Sequence, residues 1–198
     1  MATSPTPWGY DVVLDAGESI APLLTLAQFH EMTGDRFVDD ERIQSAIDAA
    51  TAGFRSWCGW HIAPQLTCHA TIDGGKRTVW LFTTELVGVE SVTVCGQDVT
   101  DSCEWSRMGL LRLPYSPDRL RAIEVTYTCG YADVPEDLAA LVAHRVLHEV
   151  ALPFGVQQEV AGSMSVSYAT SAINGQGATH LTASDRSALS AYRRQEVC

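Results

Sequence analysis

The stretch VTYTCGYADVPEDLAALVAHRVLHEVALP, residues 125–153, constrains this chain most, because it must leave a strand and enter a helix within a few residues. Ile123, Val125 and Tyr127 alternate with Glu124, Thr126 and Thr128, the period of a strand with one buried face. Gly130 then turns the chain. Pro135 takes the first helical position, where its missing N–H costs least, and Glu136 and Asp137 lie at the positive end of the helix dipole. Leu138, Leu141, Val142 and Arg145 follow on one stripe, and Pro153 ends the helix. The joint carries no catalytic group and reads as architecture: a sheet fixed to helices.

The flanking sequence extends that pattern. A helix over 25–33 opens at Thr25 and Gln28, which have capping-box spacing, with Leu24 placed to staple onto Phe29, and closes at Gly34. A second, over 39–58, carries Ile43, Ala46, Ile47, Ala50, Phe54 and Trp57 at spacings of three and four, and Gly59 ends it. Its acidic start, Asp39, Asp40 and Glu41, reads as dipole-stabilising capping rather than a metal site. Between 66 and 128 the period becomes two. Asp73-Gly74-Gly75 is expected as a hairpin turn joining CHATI to TVWLF, with a second turn around Gly96, a short strand in MGLLRLPY and a last strand over 121–128. A third helix follows over 135–151.

The fold class expected is therefore α+β: a helical bundle with an inserted small antiparallel β-sheet and an extended C-terminal arm. Residues 1–22, rich in Pro, Gly and Ser, are expected as a flexible extension, 23–153 as the core, and 154–198 as arm and short terminal helix. Within the arm, Met164, Val166 and Tyr168 alternate with Ser163, Ser165 and Ser167, a strand pattern with no obvious sheet of its own, so an edge on another chain is its expected home. Thr182 and Asp185 repeat the capping spacing before RSALSAYRR, whose Arg193 and Arg194 suit a helix C-terminus.

Composition excludes several classes. The formal net charge of −11 argues against gripping phosphate backbones, which requires Lys and Arg to displace counterions, but it suits a wall that DNA slides past. No apolar run approaches the roughly 18 residues of a membrane span. The N-terminus lacks a basic n-region and an apolar h-region, so a cytoplasmic product is expected. The six cysteines, at 58, 68, 95, 103, 129 and 198, form no Cys-x-x-Cys pair and read as buried or free thiols, with Cys95 and Cys103 placed to meet across a hairpin.

Catalytic motifs are absent. His144 and His148, followed by Glu149, have zinc-binding spacing on a helix, and His61 or His69 would be needed as a third ligand; no acidic residue lies between the pair to serve as general base. Structural histidines are the better reading. There is no Gly-x-Ser-x-Gly elbow, DGGK lacks phosphate-loop spacing, and the tryptophans at 8, 57, 60, 80 and 105 are scattered over unlike elements. No catalytic residue, cofactor or metal ligand is expected.

Four segments in order, LLTLAQFHEMTGD…DDERIQSAIDAATAGFRSWCGW, VTYTCGYADVPEDL, EVAGSMSVSYAT and LTASDRSALSAYRR, resemble the head–tail connector (adaptor, or head-completion) proteins of long-tailed double-stranded DNA phages. Together they span residues 23–194. The resemblance implies a non-enzymatic virion protein of the head–tail neck, made in the host cytoplasm, that forms a homo-oligomeric ring, usually of twelve subunits, beneath the portal. It implies as partners the portal ring, the next neck protein or tail terminator, and packaged DNA passing without sequence-specific contact. Ser163, Met164, Ser165, Val166, Ser167 and Tyr168 are the expected contact to the portal or a neighbouring subunit. The alternatives are a tail-completion or other neck protein docking on the tail side and, more distantly, a small metal-dependent hydrolase built on His144 and His148.

Overall fold

A computed structural model describes residues 2–34, 36–151, 158–161, 164–167 and 181–194. In chain order the elements are β1 (Ala2–Pro5), β2 (Asp11–Leu14), α1 (Leu26–Thr33), α2 (Asp40–Cys58), β3 (Leu66–Ile72), β4 (Thr78–Trp80), β5 (Leu86–Val94), β6 (Gln97–Asp98), β7 (Glu104–Trp105), β8 (Leu110–Arg112), β9 (Ile123–Cys129), α3 (Glu136–Ala151), β10 (Gln158–Ala161), β11 (Met164–Ser167) and α4 (Ala183–Leu189). Every strand pairing among the described residues is antiparallel, so the fold is mixed α+β. The chain divides into two compact units, one of Met1–Ala21, Arg55–Pro135 and Ser187–Cys198, the other of Pro22–Phe54 and Glu136–Arg186. No described helix is long and apolar enough to cross a membrane.

The first unit is built around β9. Ile123, Val125, Tyr127 and Cys129 are buried while Glu124 is exposed and Thr126 and Thr128 half-buried, so the alternation read in the sequence becomes one face of a six-stranded sheet ordered β1-β2-β3-β9-β5-β6. Cys68 and Ala70 of β3 and Val92 and Val94 of β5 bury beside it. Two register shifts, between Leu86 and Gly88 and between Val89 and Ser91, bulge β5 and leave Val87 exposed. Cys95 and Gly96, at φ 51° and 79°, form the two-residue hairpin turn expected around Gly96, since consecutive positive φ values match the twist of the flanking strands.

Two expectations fail here, both for long-range reasons. Asp73-Gly74-Gly75 does not close a β3–β4 hairpin: β3 pairs with β2 and β9, while β4 joins β8 and β7 in a separate three-stranded sheet. The turn instead crosses between sheets and packs on the loop before β9. Asp73 Oδ1 accepts from the Arg121 N–H at 2.7 Å, Gly74 N–H donates to Arg119 O at 2.9 Å, and a Cβ on Gly74 would lie 2.0 Å from Pro117 O. Residues 1–22, expected as a flexible extension, carry β1 and β2. Val12 pairs with Cys68, and Tyr10 and Val12 are both buried, so distant apolar partners order two short strands that lack local periodicity.

The end of the chain also belongs to this unit. Leu189 is fully buried, the Trp60 indole N–H donates to Tyr192 O at 2.7 Å, and Arg194 N–H donates to Cys58 O at 2.9 Å. The Arg193 guanidinium lies 4.7 Å over the Trp57 ring and that of Arg194 5.0 Å over Phe82. Trp57 is thus half-buried under an arginine, and Cys58 takes the buried position at that end of α2.

The second unit is helical apart from β10 and β11. Thr25 and Gln28 make the reciprocal capping box, and Gly34 caps α1 in the left-handed region at φ 66°. Asp39 Oδ1 accepts from Arg42 N–H at 3.1 Å, capping α2, while His30 Nε2 pairs with Asp40 at 2.9 Å. Phe29, Ile43, Ile47, Phe54, Val142 and Val146 are fully buried, and the Arg42 guanidinium donates to Glu149 O at 3.0 Å. Thr182 and Asp185 bond each other's backbone N–H at 2.9 and 3.1 Å, the second capping pair.

Candidate functional site

A buried polar assembly lies in the first unit, where the α2–β3 loop meets β2 and the end of β9. Arg55, in the last turn of α2, is buried and donates to three carbonyl oxygens: His61 O at 2.7 Å through Nε, and Ala21 O and Ala63 O at 2.6 and 2.7 Å through Nη2. These bonds fix the loop after Gly59 at the cost of burying a cation, and burial pulls the guanidinium pKa down to about 10.

His61, held by that loop, is fully buried. Its Nδ1 lies 2.8 Å from Tyr10 Oη, and its own backbone N–H donates to the same hydroxyl at 3.0 Å. Its Nε2 lies 3.0 Å from Pro64 O and 3.3 Å from Cys129 O. Carbonyl oxygens only accept, so Nε2 carries the proton and Nδ1 accepts from the Tyr10 hydroxyl. Burial, with Arg55 nearby, lowers the imidazole pKa to about 4, so the ring is neutral at pH 7. Burial likewise pushes the Tyr10 phenol well above its ordinary value.

Cys68 and Cys129 complete the group, their Sγ atoms 3.6 Å apart across the β3–β9 ladder. The bond to Cys129, then burial, raises the Cys68 thiol far above its usual range. Buried and hydrogen-bonded, the Tyr10 phenol, the His61 ring and the Cys68 thiol are poor nucleophiles and poor acid–base catalysts at neutral pH. What they do well is hold three chain segments together at the strand-to-helix joint. Gly130 belongs to the same packing: at φ 110°, its missing Cβ leaves room for Pro64 O and His61 Nε2, which a methyl would approach to 2.5 and 2.8 Å.

The residues singled out in the sequence are dispersed. His144 and His148 are both exposed on α3, and no metal-ligating cluster among the described residues includes them. His69 is half-buried and its Nδ1 lies 2.9 Å from Thr126 Oγ1, whereas His61 sits in the polar centre. Cys95 is exposed and Cys103 half-buried, both free thiols. Met164–Ser167 forms β11, which pairs with β10 in register Gln158↔Ser167 to Ala161↔Met164; Ser163 and Tyr168 lie outside the described residues. Sequence reasoning missed the convergence of Tyr10, Arg55, His61, Cys68 and Cys129, whose spacing matches no local motif.

Antiparallel sheets, helices and a hydrogen-bonded centre that immobilises loops make this a mixed α+β protein. The family model of the head completion proteins matches residues 22–194, and the chain belongs to that family. Membership in that family makes it a head-completion component of a virion. Among solved structures, a chain of the neck of an empty GTA particle computed with C6 symmetry aligns with TM-score 0.56 at 15% identity, over 96% of this chain and 97% of that one. A chain from the virion of a native gene transfer agent (GTA) particle aligns with TM-score 0.54 at 14% identity, over 92% of this chain and 95% of that one. At these identities the likeness is one of fold. No curated protein sequence matches this chain.

Proposed function

We propose that the chain is a non-enzymatic neck protein whose copies close into a ring of twelve beneath the portal, extend the DNA channel, help retain packaged DNA and present a surface to the next neck protein or tail terminator. The observation that carries this is the span of the family match, residues 22–194, which covers most of both units and the segment between α3 and α4. The helices of the second unit act as a bundle, and the arm that follows reaches a neighbour. The net charge of −11 supports a channel wall that repels the duplex rather than binding it.

The contact to the portal or to an adjacent subunit is assigned to Ser163–Tyr168. Two residues separate Ala161 from Met164, and the pair closing a two-residue hairpin is hydrogen-bonded. Alternation then makes Glu159↔Val166 the next bonded pair, and Ser165 and Ser167 direct their backbone groups away from β10. That outward edge is the one a partner strand would use. Proline at Ser167 removes an outward donor and leaves the hairpin's own ladder intact, whereas Val166→Pro breaks the ladder itself. Co-sedimentation with the portal ring of the same particle tests the assignment: Ser167→Pro should fold normally and fail to co-sediment. Undiminished binding would remove the arm from the interface, and binding to the tail tube instead would move the protein to the tail side of the neck.

A further inference from the structure

His61, Cys68 and Cys129 come from the α2–β3 loop, β3 and the end of β9. Their ligating atoms all lie within 4.8 Å of one another, and all three residues are fully buried. The two sulfurs are 3.6 Å apart. Two thiolates bound at about 2.3 Å to a tetrahedral zinc are separated by nearly that distance, roughly 3.8 Å. The histidine is also in the tautomer a ligand needs. Nε2–H faces Pro64 O at 3.0 Å and Cys129 O at 3.3 Å, leaving the Nδ1 lone pair free of a proton. Metal-ligating histidines characteristically give their second N–H to a carboxylate, a backbone carbonyl or water, which fixes the ring.

We propose that His61 Nδ1, Cys68 Sγ and Cys129 Sγ bind a zinc ion, the Tyr10 hydroxyl that occupies the Nδ1 lone pair in the metal-free protein moving aside. Tyr10 Oη lies 2.8 Å from Nδ1 and also accepts the His61 backbone N–H at 3.0 Å, a bond that can keep the phenol beside the loop when the ring is ligated. On binding, both thiols lose their protons to solvent, and Tyr10 gives up its hydrogen bond to Nδ1. A dication with two thiolates adds no net charge to a dry interior, which a singly charged ion such as Cu⁺ would not achieve. The ion would tie the loop, β3 and the end of β9 together beside Gly130, where the strand passes into the helix. The site is structural, built on three buried protein ligands, and distinct from His144 and His148.

The test is metal content. The full chain, untagged, is purified from zinc-supplemented medium without chelator and analysed by plasma mass spectrometry. Zinc equimolar with the chain is expected, released by an organomercurial thiol reagent, and lost in Cys68→Ser and Cys129→Ser while retained in Cys95→Ser and in His144→Ala/His148→Ala. Cobalt(II) gives a second readout that needs no variant: thiolate-to-cobalt charge-transfer absorption of two-sulfur intensity and tetrahedral ligand-field bands. Should the cysteine variants fail to fold, the wild-type cobalt spectrum decides. Metal-free protein that shows no such absorption after cobalt loading overturns the proposal, as does zinc that follows His144 and His148.

Discussion

Tyr10 Oη and His61 Nδ1 meet at 2.8 Å across 51 residues of sequence, joining the first strands of the chain to the loop that leaves α2. The phenol serves His61 twice, giving its proton to the ring and accepting the backbone N–H at 3.0 Å. A buried histidine so bonded is specified as neutral, and that gives it a signature in solution.

Stability should therefore fall in mild acid. His61 has a folded-state pKa of about 4 against an ordinary value of 6.5, so between these limits the unfolded chain binds a proton that the folded chain refuses. The stabilisation is fully present above pH 6.5 and is lost as pH falls toward 4, by up to about 3 kcal/mol. Urea unfolding of the metal-free protein at a series of pH values measures it. His61→Gln should be less stable at pH 7 and should flatten the slope; an unchanged slope would assign it to other groups.

Gly130→Ala should destabilise the chain by about 2–4 kcal/mol. The added methyl meets Pro64 O at 2.5 Å and His61 Nε2 at 2.8 Å, and φ of 110° is a conformation L side chains rarely adopt. Gly96→Ala, at φ 79° with open space around it, should cost less, roughly 1 kcal/mol of backbone strain alone. Denaturant midpoints of the two variants compare a strained, crowded position with one that is only strained.

Arg55→Met removes the guanidinium donor from Ala21 O, Ala63 O and His61 O, of which His61 O keeps the Ala63 N–H at 2.9 Å, and should cost about 3 kcal/mol. Arg55→Lys should recover only part of this, because an ammonium on a flexible stem cannot reproduce a planar fork aimed at three carbonyls. Thermal unfolding of the three proteins orders them; a lysine variant equal to the parent would show that charge alone suffices.

Leu189→Ala should loosen the chain end and cost about 2–5 kcal/mol, since Leu189 is fully buried. Trp60→Phe removes the 2.7 Å bond to Tyr192 O at a smaller cost, about 1 kcal/mol. Hydrogen exchange read by mass spectrometry should show both variants losing protection over residues 187–194. Protection that survives Leu189→Ala would mean that the segment is held by its arginines over Trp57 and Phe82 instead.

What the sequence disclosed was local. Thr25 with Gln28, Thr182 with Asp185, Gly34 and the Cys95–Gly96 turn were legible because each is a bond or dihedral set within a few residues. The β9 alternation was legible because one face of the strand is buried along its whole length. Asp73-Gly74-Gly75 misled because any hairpin triplet also serves a crossover, and the choice lies with Pro117 and Arg119 more than 40 residues on. β1 and β2 were illegible for the same reason: their order comes from Cys68 and His69, not from their own pattern. The stripe on α3 shifted toward Ala139, Ala143, Val146 and Val150, leaving Leu141 and Arg145 half-buried. Small residues there permit close packing that a count of large apolar side chains overlooks. The polar centre drew on residues 10, 55, 61, 68 and 129, and no spacing rule links positions so far apart.

The central claim, a ring-forming neck protein seated on the portal, is tested most directly by negative-stain imaging, with light scattering for mass, of this protein alone and mixed with the portal ring of its own particle. The account predicts added density with the portal's rotational symmetry capping the narrow end of that ring, and a mass increase of about one chain per portal subunit. A protein that stays monomeric and leaves the portal bare, while binding the tail tube, would contradict it.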